Sequence, residues 1–324
     1  MSNKNIYLAP MVGRTDEYYR SFIRILSNKI RLYTEMITCD AFLHTNKSSY
    51  KVKPQEKHLT IQLAGADPKK YGLCSKIIEE QGYDEINLNI GCPSNKVIKG
   101  RFGACLMNSP SIVAECISEI KNSCSLPISI KTRLGLGYDE NLDLLLKLIQ
   151  ETNNAGCYKY FIHARNAILD GLSPKNNRKI PALRYTDVNY VKKLYPNLEI
   201  YLNGGVDSID CIKENLNKFE GLMIGRKIYD DPIFLFIIEK EIYKRREVLT
   251  RRTIIEQYID YALSLPDNVS NYLLLRHLFS LYYNTNSSKK WKKFLHEVIQ
   301  NNEDIRLVLN FNEVTYEEKQ KTYG

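Results

Sequence analysis

The sequence lacks the features that place a protein in a membrane or on a secretion route. No stretch of its 324 residues reaches the roughly 18 consecutive apolar residues of a membrane-spanning helix. The opening residues, MSNKNIYLAP, lack the charged and then apolar layout of a signal peptide. Because 44% of the residues are hydrophobic and 26% are charged, a disordered chain is excluded as well. We therefore expect a cytoplasmic globular protein with one large domain and a smaller one.

Patterns for metal binding and for a disulfide framework are also absent. The eight cysteines include no C-x-x-C pair, and none falls at a zinc-ligand spacing with the five histidines. Reduced thiols fit this distribution better than disulfides. We therefore predict no metal site.

The charge is strongly basic. The net charge is +9 and the isoelectric point is about 8.9, which suits a polyanionic partner. A solvated lysine-rich surface explains the same composition equally well. Basic residues concentrate near the carboxyl terminus, at Lys244, Arg245, Arg246, Arg251 and Arg252 and, around the single tryptophan Trp291, at Lys289, Lys290, Lys292 and Lys293.

Eight short β-type runs alternate with helix-like segments. The runs span residues 6–12, 31–37, 59–65, 85–91, 127–134, 158–165, 199–206 and 221–228. This alternation predicts an α/β fold, a (β/α)₈ TIM barrel, with a doubly wound sheet as the alternative. After Asp231-Pro232 the strand signals stop and helical patterns take over. We predict a catalytic barrel domain over residues 1–235 and an all-helical domain over residues 236–324.

Polar residues on three predicted strands indicate a ligand inside the barrel mouth. Gln62, Lys131 and His163 would face inward near the carboxyl ends of their strands, where an unpartnered polar side chain costs free energy. Together they could line a planar heterocycle. Each one alone also fits a structural role, in a salt bridge or a hydrogen-bonded core.

Glycine turns close the last two predicted strands. Gly204-Gly205 and Gly225-Arg226 stand where TIM barrels often bind phosphate. A structural reading, tight turn geometry, is the alternative. With the polar residues inside the barrel, these turns suggest flavin mononucleotide (FMN) as a cofactor.

Cys92 follows the fourth predicted strand in the sequence Gly91-Cys92-Pro93. A thiol there could act as nucleophile, metal ligand or acid, and no metal partners are spaced for it. With an ordinary pKa of about 8.5 a thiol is mostly protonated at neutral pH, which suits a proton donor. A buried structural cysteine is the alternative.

Six strings resemble, in order and spacing, the tRNA-dihydrouridine synthases of the A-type (DusA-like) bacterial branch. They are APMVGRTD, LNIGCPSNKVIKGRFGACLM, SIKTRLG, HARNAILDGLSPKNNRKIPALRY, LNGGV and MIGRKIYDDP. The resemblance is dense over residues 6–235 and looser in the tail. It implies an FMN enzyme that uses NADPH to reduce the C5–C6 double bond of uridine at positions 20 and 20a of the tRNA D-loop. A monomer is expected.

The resemblance also implies residue roles. Cys92 would be the general acid that protonates C5 after hydride from the flavin reaches C6. FMN would contact Pro10, Met11, Val12, Gln62, Lys131, His163, Asn203, Gly204, Gly205, Gly225 and Arg226. The target nucleotide or its RNA flanks would contact Asn89, Lys175, Asn176, Arg178 and Arg276.

With Cys92 as the general acid, the basic residues that follow it would form a loop over the site. Lys96, Lys99 and Arg101, with Gly100 and Gly103, predict a mobile basic loop that follows phosphate and closes over the site. One departure from the family pattern lies at Gly13 and Arg14, where many A-type members have an acidic residue and an aromatic one.

Two other functions remain open on the residues alone. One is a small-molecule flavin reductase of the dihydroorotate or dihydropyrimidine type, which would not need the basic helical segment. The other is a non-catalytic tRNA-binding protein, which would not need Cys92, Lys131 and His163 together.

Overall fold

The computed structural model describes residues 5–46, 50–245, 249–266 and 268–312, apart from the side chain of Lys96. Arg246, one of the predicted basic residues, lies outside these ranges. The chain divides into two compact units. The barrel unit contains the residues up to Thr15 and Ile30–Gly225, and the helical unit contains Asp16–Lys29 and the residues from Arg226 onward.

Eight parallel strands form the barrel. In chain order, β1 to β8 span Asn5–Leu8, Leu32–Thr38, Leu59–Ala64, Glu85–Ile90, Ile128–Arg133, Lys159–His163, Glu199–Asn203 and Gly221–Ile224. The order in the sheet is β1-β8-β7-β6-β5-β4-β3-β2, and a parallel bridge between Tyr7 and Arg31 joins its two edges. The predicted TIM barrel is confirmed, and the doubly wound sheet is excluded because β1 pairs with β8.

The predicted β-type runs match all eight strands; seven of them extend further at their carboxyl ends, and the second ends one residue short of β2. The first strand, for example, ends at Leu8, and the chain turns within the next residues because the N–H groups of Arg14 and Thr15 both donate to the Met11 carbonyl. Loop residues therefore follow seven of the strands, as expected for positions that line a barrel mouth, whereas the helix Cys39–His44 begins directly after β2.

Helices follow the strands and fill the carboxyl-terminal part of the chain. In chain order, α1 to α13 span Glu17–Leu26, Cys39–His44, Pro68–Gln81, Asn95–Lys99, Pro110–Ser123, Asp143–Asn154, Tyr185–Leu194, Ile209–Asn215, Arg226–Asp230, Phe234–Glu241, Arg251–Leu263, Asn271–Leu275 and Ser288–Gln300. Shorter 3₁₀ helices span Gly103–Asn108, Asn176–Arg178, Arg276–Ser280 and Ile305–Asn310.

Local sequence explains where the longer helices begin and end. The Asp67 side chain accepts from the Lys70 N–H, Pro68 occupies the first turn, and α3 ends at Gly82 in the left-handed conformation. Strand β4 is buried along its whole length, as expected for a strand between two neighbours inside a closed barrel.

Aromatic side chains fill the amino-terminal half of the barrel interior. Tyr7, Tyr33, Phe161 and Tyr201 are buried together with Met223. The rings of Phe161 and Tyr201 stack with their centroids 4.6 Å apart, and Tyr7 meets both edge-on. This packing fills the barrel interior toward its amino-terminal end.

The described residues of the helical unit form helices and no strand. Trp291 is fully buried, and its indole N–H donates to the Leu278 carbonyl over 2.7 Å. The lysines around Trp291 are exposed, so α13 has an apolar inner face and a basic outer face.

The compact units divide the chain elsewhere than the predicted boundary after residue 235. Helix α1 belongs to the helical unit, where its N-terminal cap Asp16 binds Arg276 and His277. The barrel unit ends at Gly225. The assignment of catalysis and tRNA binding to two domains stays a prediction.

Candidate active site

The predicted site residues of the barrel unit lie on the strands or on the loops after them. Gln62 is on β3, Asn89 on β4, Lys131 on β5, and His163 and Asn203 end β6 and β7. The strand register pairs Asn89 with Lys131, and it pairs His163 with Asn203. Parallel strands in this order bring the five side chains to the carboxyl-terminal end of one barrel.

Gln62 and Asn89 are joined directly. The Asn89 side-chain amide donates to Gln62 Oε1 over 2.8 Å, and the Gln62 amide donates to Asn87 Oδ1 over 2.7 Å. All three residues are buried. Gln62 and Asn89 therefore present fixed amide groups rather than freely rotating ones.

Cys92 lies on the loop after β4, as predicted, and its thiol is partly exposed. Asn89 Oδ1 accepts from the Cys92 N–H over 2.9 Å and from the Gly91 N–H over 3.2 Å. The Cys92 carbonyl accepts from the Ala104 N–H over 3.1 Å. The Cys92 backbone is thus bound on both sides, by the barrel interior and by the segment that follows.

The segment after Cys92 is helical rather than an open loop. Helix α4 places Val97 in the interior, and Gly103 has a φ of +59°. A Cβ at Gly103 would lie 2.4 Å from Val97 Cγ1, so only glycine fits this close approach. Lys99, which ends α4, and Arg101, in the turn that follows, are exposed and form a basic surface; the predicted mobility of this segment stays a prediction.

Lys131 is a half-buried amine, and the described part of the chain offers its side chain no hydrogen bond or ion pair. Burial and the positive charge of Arg133 lower the pKa of Lys131 to about 7, while Cys92 acts to raise it and Arg178 to lower it. Lys131, Cys92, Arg133 and Arg178 therefore lie within electrostatic range of one another.

Arg133 ends β5 and belongs to the string SIKTRLG, but it has no predicted role in the site. Its buried guanidinium donates to three backbone carbonyls, those of Gly91 at 3.2 Å, Asn166 at 3.0 Å and Asn177 at 2.9 Å. Burial lowers the pKa of Arg133 to about 10. Its position two residues beyond Lys131 places it on the same face of the strand, but its partners could not be predicted because backbone acceptors have no signature in the sequence.

The Gly204-Gly205 turn leaves room for His163. Both glycines are left-handed, with φ values of +100° and +67°. A Cβ at Gly204 would lie 2.5 Å from His163 Cδ2 and 2.8 Å from its Nε2. The Tyr185 hydroxyl donates to the Gly204 carbonyl over 2.6 Å, which fixes the turn. The Asn203 amide donates to the Met223 carbonyl over 2.8 Å.

The loop after β1 meets the end of β8. Pro10, Met11 and Val12 follow β1 directly, and the Val12 side chain is 66% exposed. A Cβ at Gly225 would lie 3.3 Å from the Ala9 Cβ and 3.5 Å from the Met11 sulfur. Gly225 therefore allows the two strand ends to approach, as the predicted cofactor contacts at both ends require.

The loop after β6 carries three of the predicted RNA contacts. Lys175 and Asn176 are exposed, and Arg178 is partly buried. Between them, Asn177 is fully buried and its side chain binds the backbone of Ile168 in both directions, at 2.7 and 2.8 Å. The charge of Arg178 acts to lower the pKa of Lys131, whereas Lys175 and Asn176 lie on the exposed surface of the loop.

Two predicted site residues belong to the helical unit. Arg226 is the first residue of α9. Arg276 forms an ion pair with Asp16, and its guanidinium lies 5.7 Å from the centre of the Tyr272 ring. Burial acts to lower the pKa of Arg276, but its hydrogen bond and charge interaction with Asp16 raise the pKa above the ordinary value. The structure therefore gives Arg276 an acidic partner inside its own unit.

The described ranges contain no candidate metal site and no candidate membrane span. No group of three or more histidine, cysteine or acidic side chains there could hold a metal ion. Within those same ranges, no helix combines the length and the apolar character needed to cross a bilayer.

Comparison with known proteins identifies the family. The sequence model of the family described as dihydrouridine synthase (Dus) matches residues 7–319. The chain belongs to the dihydrouridine synthase family. As a family, these proteins are flavin-dependent oxidoreductases. The predicted family and enzyme class are confirmed.

Relatives agree over nearly the whole chain. The chain is 39% identical over 293 residues to the tRNA-dihydrouridine(20/20a) synthase of Synechocystis sp., covering 89% of this chain and 87% of that protein. It is 38% identical over 300 residues to the synthase of the same name from Shewanella oneidensis, covering 91% and 89%. Because these relatives carry the 20/20a name, the resemblance to the A-type branch is confirmed.

A solved structure shares the barrel. The fold is similar to that of 2-naphthoyl-CoA reductase in complex with 2-naphthoyl-CoA, with a TM-score of 0.56 and 9% identity. The match covers 74% of this chain and 50% of that structure, so this chain spans about half of it. At this identity the similarity shows the fold alone.

Proposed function

We propose that this dihydrouridine synthase reduces uridine to 5,6-dihydrouridine at positions 20 and 20a of the tRNA D-loop, with FMN as cofactor and NADPH as reductant. The relatives described above act on these positions by name. The observation that carries the proposal is the position of Cys92, which lies beside Lys131 and Arg133 at the carboxyl-terminal end of the barrel.

The residues present fit FMN. Lys131 and Arg133 place two cationic groups in the mouth, and no carboxylate is among the groups that set their pKa values. An anionic ligand supplies the missing negative charge. The Gly204-Gly205 turn accommodates the His163 ring where any larger residue would collide with it. Gln62, Lys131, His163 and Asn203 would hold the flavin, with Pro10, Met11 and Val12 on the opposite side.

The phosphate of FMN would lie at the ends of β7 and β8. Gly204, Gly205 and Gly225 leave the backbone there without side chains, so N–H groups can approach an anion closely. Arg226 follows Gly225 directly in the chain and would add a guanidinium.

Cys92 would protonate C5 of the uracil ring. When bound, reduced FMN would supply a hydride for C6. The S–H bond of Cys92 then breaks as the C5–H bond forms, which completes the addition of two hydrogens. The thiolate that remains lies in the field of Lys131 and Arg133, and these positive charges stabilise it.

Asn89 and Arg178 would face the target nucleotide. Asn89 is held by Gln62 and the Cys92 backbone, so it would contact the uracil ring with a preset amide. A uridine in folded tRNA is stacked, and extruding it costs a few kcal/mol. Phosphate contacts from Lys175, Asn176, Arg276 and the exposed lysines of α13 would offset that cost. The predicted cytoplasmic location and monomeric state stay predictions.

The test follows the flavin spectrum under anaerobic conditions. Protein reduced with one equivalent of NADPH is mixed with an unmodified tRNA transcript, with free uridine or with dihydroorotate's oxidised partner, orotate. We expect the tRNA alone to restore the oxidised flavin spectrum. A matched transcript with cytidine at positions 20 and 20a should leave the flavin reduced.

Other outcomes contradict the proposal. Oxidation of the flavin by orotate or free uridine, but not by tRNA, would indicate a small-molecule reductase. A protein that binds tRNA but retains no flavin would indicate the non-catalytic alternative.

A further inference from the structure

A continuous chain of buried hydrogen bonds crosses the barrel interior and ends at the Cys92 loop. It joins Glu85, Ser129, Asn87, Gln62 and Asn89, all of which are at most 7% exposed. Glu85, Asn87 and Asn89 are alternate residues of β4, so they share one face. Ser129 and Gln62 stand opposite Asn87 on the two neighbouring strands.

Every bond in this chain points the same way. The Ser129 hydroxyl donates to Glu85 Oε1, and the Asn87 amide donates to Ser129 Oγ over 2.8 Å. The Gln62 amide donates to Asn87 Oδ1, and the Asn89 amide donates to Gln62 Oε1. Asn89 Oδ1 then accepts from the Cys92 N–H.

The two ends make this direction necessary. A carboxylate such as Glu85 can only accept, and a backbone N–H such as that of Cys92 can only donate. The serine and the three amides between them can each bond in either sense when isolated. Because both ends demand the same sense, the orientation of every intermediate side chain is determined.

The carboxylate end is itself held in place. Lys159 Nζ donates to Glu85 Oε2 over 2.5 Å and to the Tyr7 hydroxyl over 3.0 Å. The Tyr33 hydroxyl is 3.5 Å from Glu85 Oε1. These groups belong to the amino-terminal half of the barrel interior, so Glu85 lies away from the proposed substrate site.

We propose that Glu85 is a positioning residue, which acts through Ser129, Asn87, Gln62 and Asn89 to present a carbonyl oxygen to the Cys92 loop. This inference rests on the proposed role of Cys92. It assigns the ion pair at the amino-terminal end of the barrel a function in aligning the acid at the other end.

The sharpest test is a substitution that reverses the direction of these hydrogen bonds. In Glu85→Gln the side-chain carbonyl will face the charged Lys159, which turns the new amide toward Ser129. We expect Ser129, whose hydroxyl proton loses its carboxylate acceptor, to donate to Asn87 instead, so that Asn87, Gln62 and Asn89 also reverse and Asn89 presents an amide donor to the Cys92 N–H. The hydrogen bond that holds the loop is lost.

A second substitution restores the direction. In the double variant Glu85→Gln/Asn87→Asp, the carboxylate introduced by Asn87→Asp can only accept, so Gln62 must donate to it and the last bonds keep their native sense. The number of carboxylates inside the barrel is unchanged.

A third variant breaks the chain without touching the ion pair. Ser129→Ala removes the hydroxyl that links Glu85 to Asn87. Ser75→Ala is the matched control, since Ser75 is a fully buried serine that donates to the Gly72 carbonyl.

Amide hydrogen exchange reports the result directly. Flavin-free protein labelled with ¹⁵N-cysteine gives one signal for each of the eight cysteines, and the signals other than Cys92 report whether a variant is folded. We expect the Cys92 amide to exchange about tenfold faster in Glu85→Gln and in Ser129→Ala, with no change in Ser75→Ala. The double variant should return to within about twofold of the wild type.

Two results would overturn the proposal. One is unchanged Cys92 exchange in both Glu85→Gln and Ser129→Ala while the other signals show a folded protein. The other is a double variant that exchanges as fast as Glu85→Gln. The exchange measurement needs neither flavin nor tRNA. It can therefore contradict the role of Glu85 while the proposed reductase activity is upheld, and the activity can be contradicted while the role of Glu85 is upheld.

Discussion

Two half-buried lysines on neighbouring strands of the barrel have opposite surroundings. Lys159 on β6 pairs with Glu85, and although burial acts to lower its pKa, Glu85 and Tyr7 raise it above the ordinary value. Lys131 on β5 has no such partner among the described residues, and burial with Arg133 lowers its pKa to about 7. A lysine with a structural role is paired with a carboxylate inside the protein, whereas a lysine that binds an anionic ligand has no counterion until the ligand is present.

The same contrast separates the two ends of the barrel. Aromatic rings and the Glu85–Lys159 pair fill the amino-terminal end, so its polar groups are satisfied internally. At the other end the Arg133 guanidinium donates to neutral backbone carbonyls. The mouth therefore retains a positive charge that a flavin and a phosphate backbone can neutralise.

The largest effect on activity should come from replacing Cys92, the thiol at the carboxyl-terminal end of the barrel. We expect Cys92→Ala to lower the rate of uridine reduction by at least about 100-fold, because the proton donor is removed, while bound flavin stays at the wild-type level. Cys124, which lines a concavity at the amino-terminal end, supplies the control variant Cys124→Ala. Dihydrouridine yield and flavin absorbance are measured together. Turnover in Cys92→Ala comparable to that of the wild type would show that Cys92 is not the general acid.

The two lysines should differ in what they contribute to stability. Lys159→Met leaves Glu85 as an uncompensated buried charge, so the free energy of unfolding should fall by about 3–5 kcal/mol. Lys131→Met removes a half-buried charge that repels Arg133, so flavin-free protein should be as stable as the wild type or more so. Urea denaturation of both variants measures the difference. Equal losses would show that the contrast between the lysines is wrong.

The pH dependence of stability should carry the signature of Lys131. Its pKa is about 7 in the folded chain against an ordinary 10.5, so the unfolded chain binds more protons between these values. The free energy of unfolding therefore rises with pH in this window, by at most about 1.4 kcal/mol per pH unit from this group.

The difference in free energy of unfolding between the wild type and Lys131→Met isolates the contribution of Lys131. We expect it to change with pH between about 7 and about 10 in flavin-free protein and to flatten once FMN is added, since an anionic ligand favours the charged lysine. Stability curves for the two proteins that run parallel without FMN would contradict the assignment.

The smallest effect concerns the outer face of α13. Charge reversal at Lys292 and Lys293 should weaken tRNA binding about tenfold and reduce the dependence of log K on log salt by about 1–2. Lys147→Glu is the matched control, because Lys147 pairs with Glu151 as Lys293 pairs with Glu297, four residues ahead on a helix. Fluorescence anisotropy at several salt concentrations measures both quantities. Equal weakening by the control would place the RNA surface elsewhere.

Much of this architecture could be predicted from the sequence, because strands and strand ends are local features. Alternating β-type runs and helical segments specify the barrel, and the polar residues that close the runs specify its mouth. Lys131, His163 and Cys92 are predictable in this way, since each lies on a strand or directly after one.

Contacts between distant residues could not be predicted in the same way. Arg133 binds carbonyls from two loops, and backbone acceptors carry no sequence signal. Asp16 belongs to the strand-one string APMVGRTD, yet it caps α1 and binds Arg276, 260 residues away. Gly100 and Gly103 suggest an open loop after Cys92, whereas the buried side chain of Val97 fixes a helical turn there.

The most direct test of the whole account is mass-spectrometric mapping of dihydrouridine in tRNA that lacks D-loop modification, after incubation with the purified protein, FMN and NADPH. We predict dihydrouridine at position 20 or 20a, and none when Cys92→Ala replaces the wild type. Absence of dihydrouridine throughout the tRNA, from a protein that binds flavin and oxidises NADPH, would contradict the account.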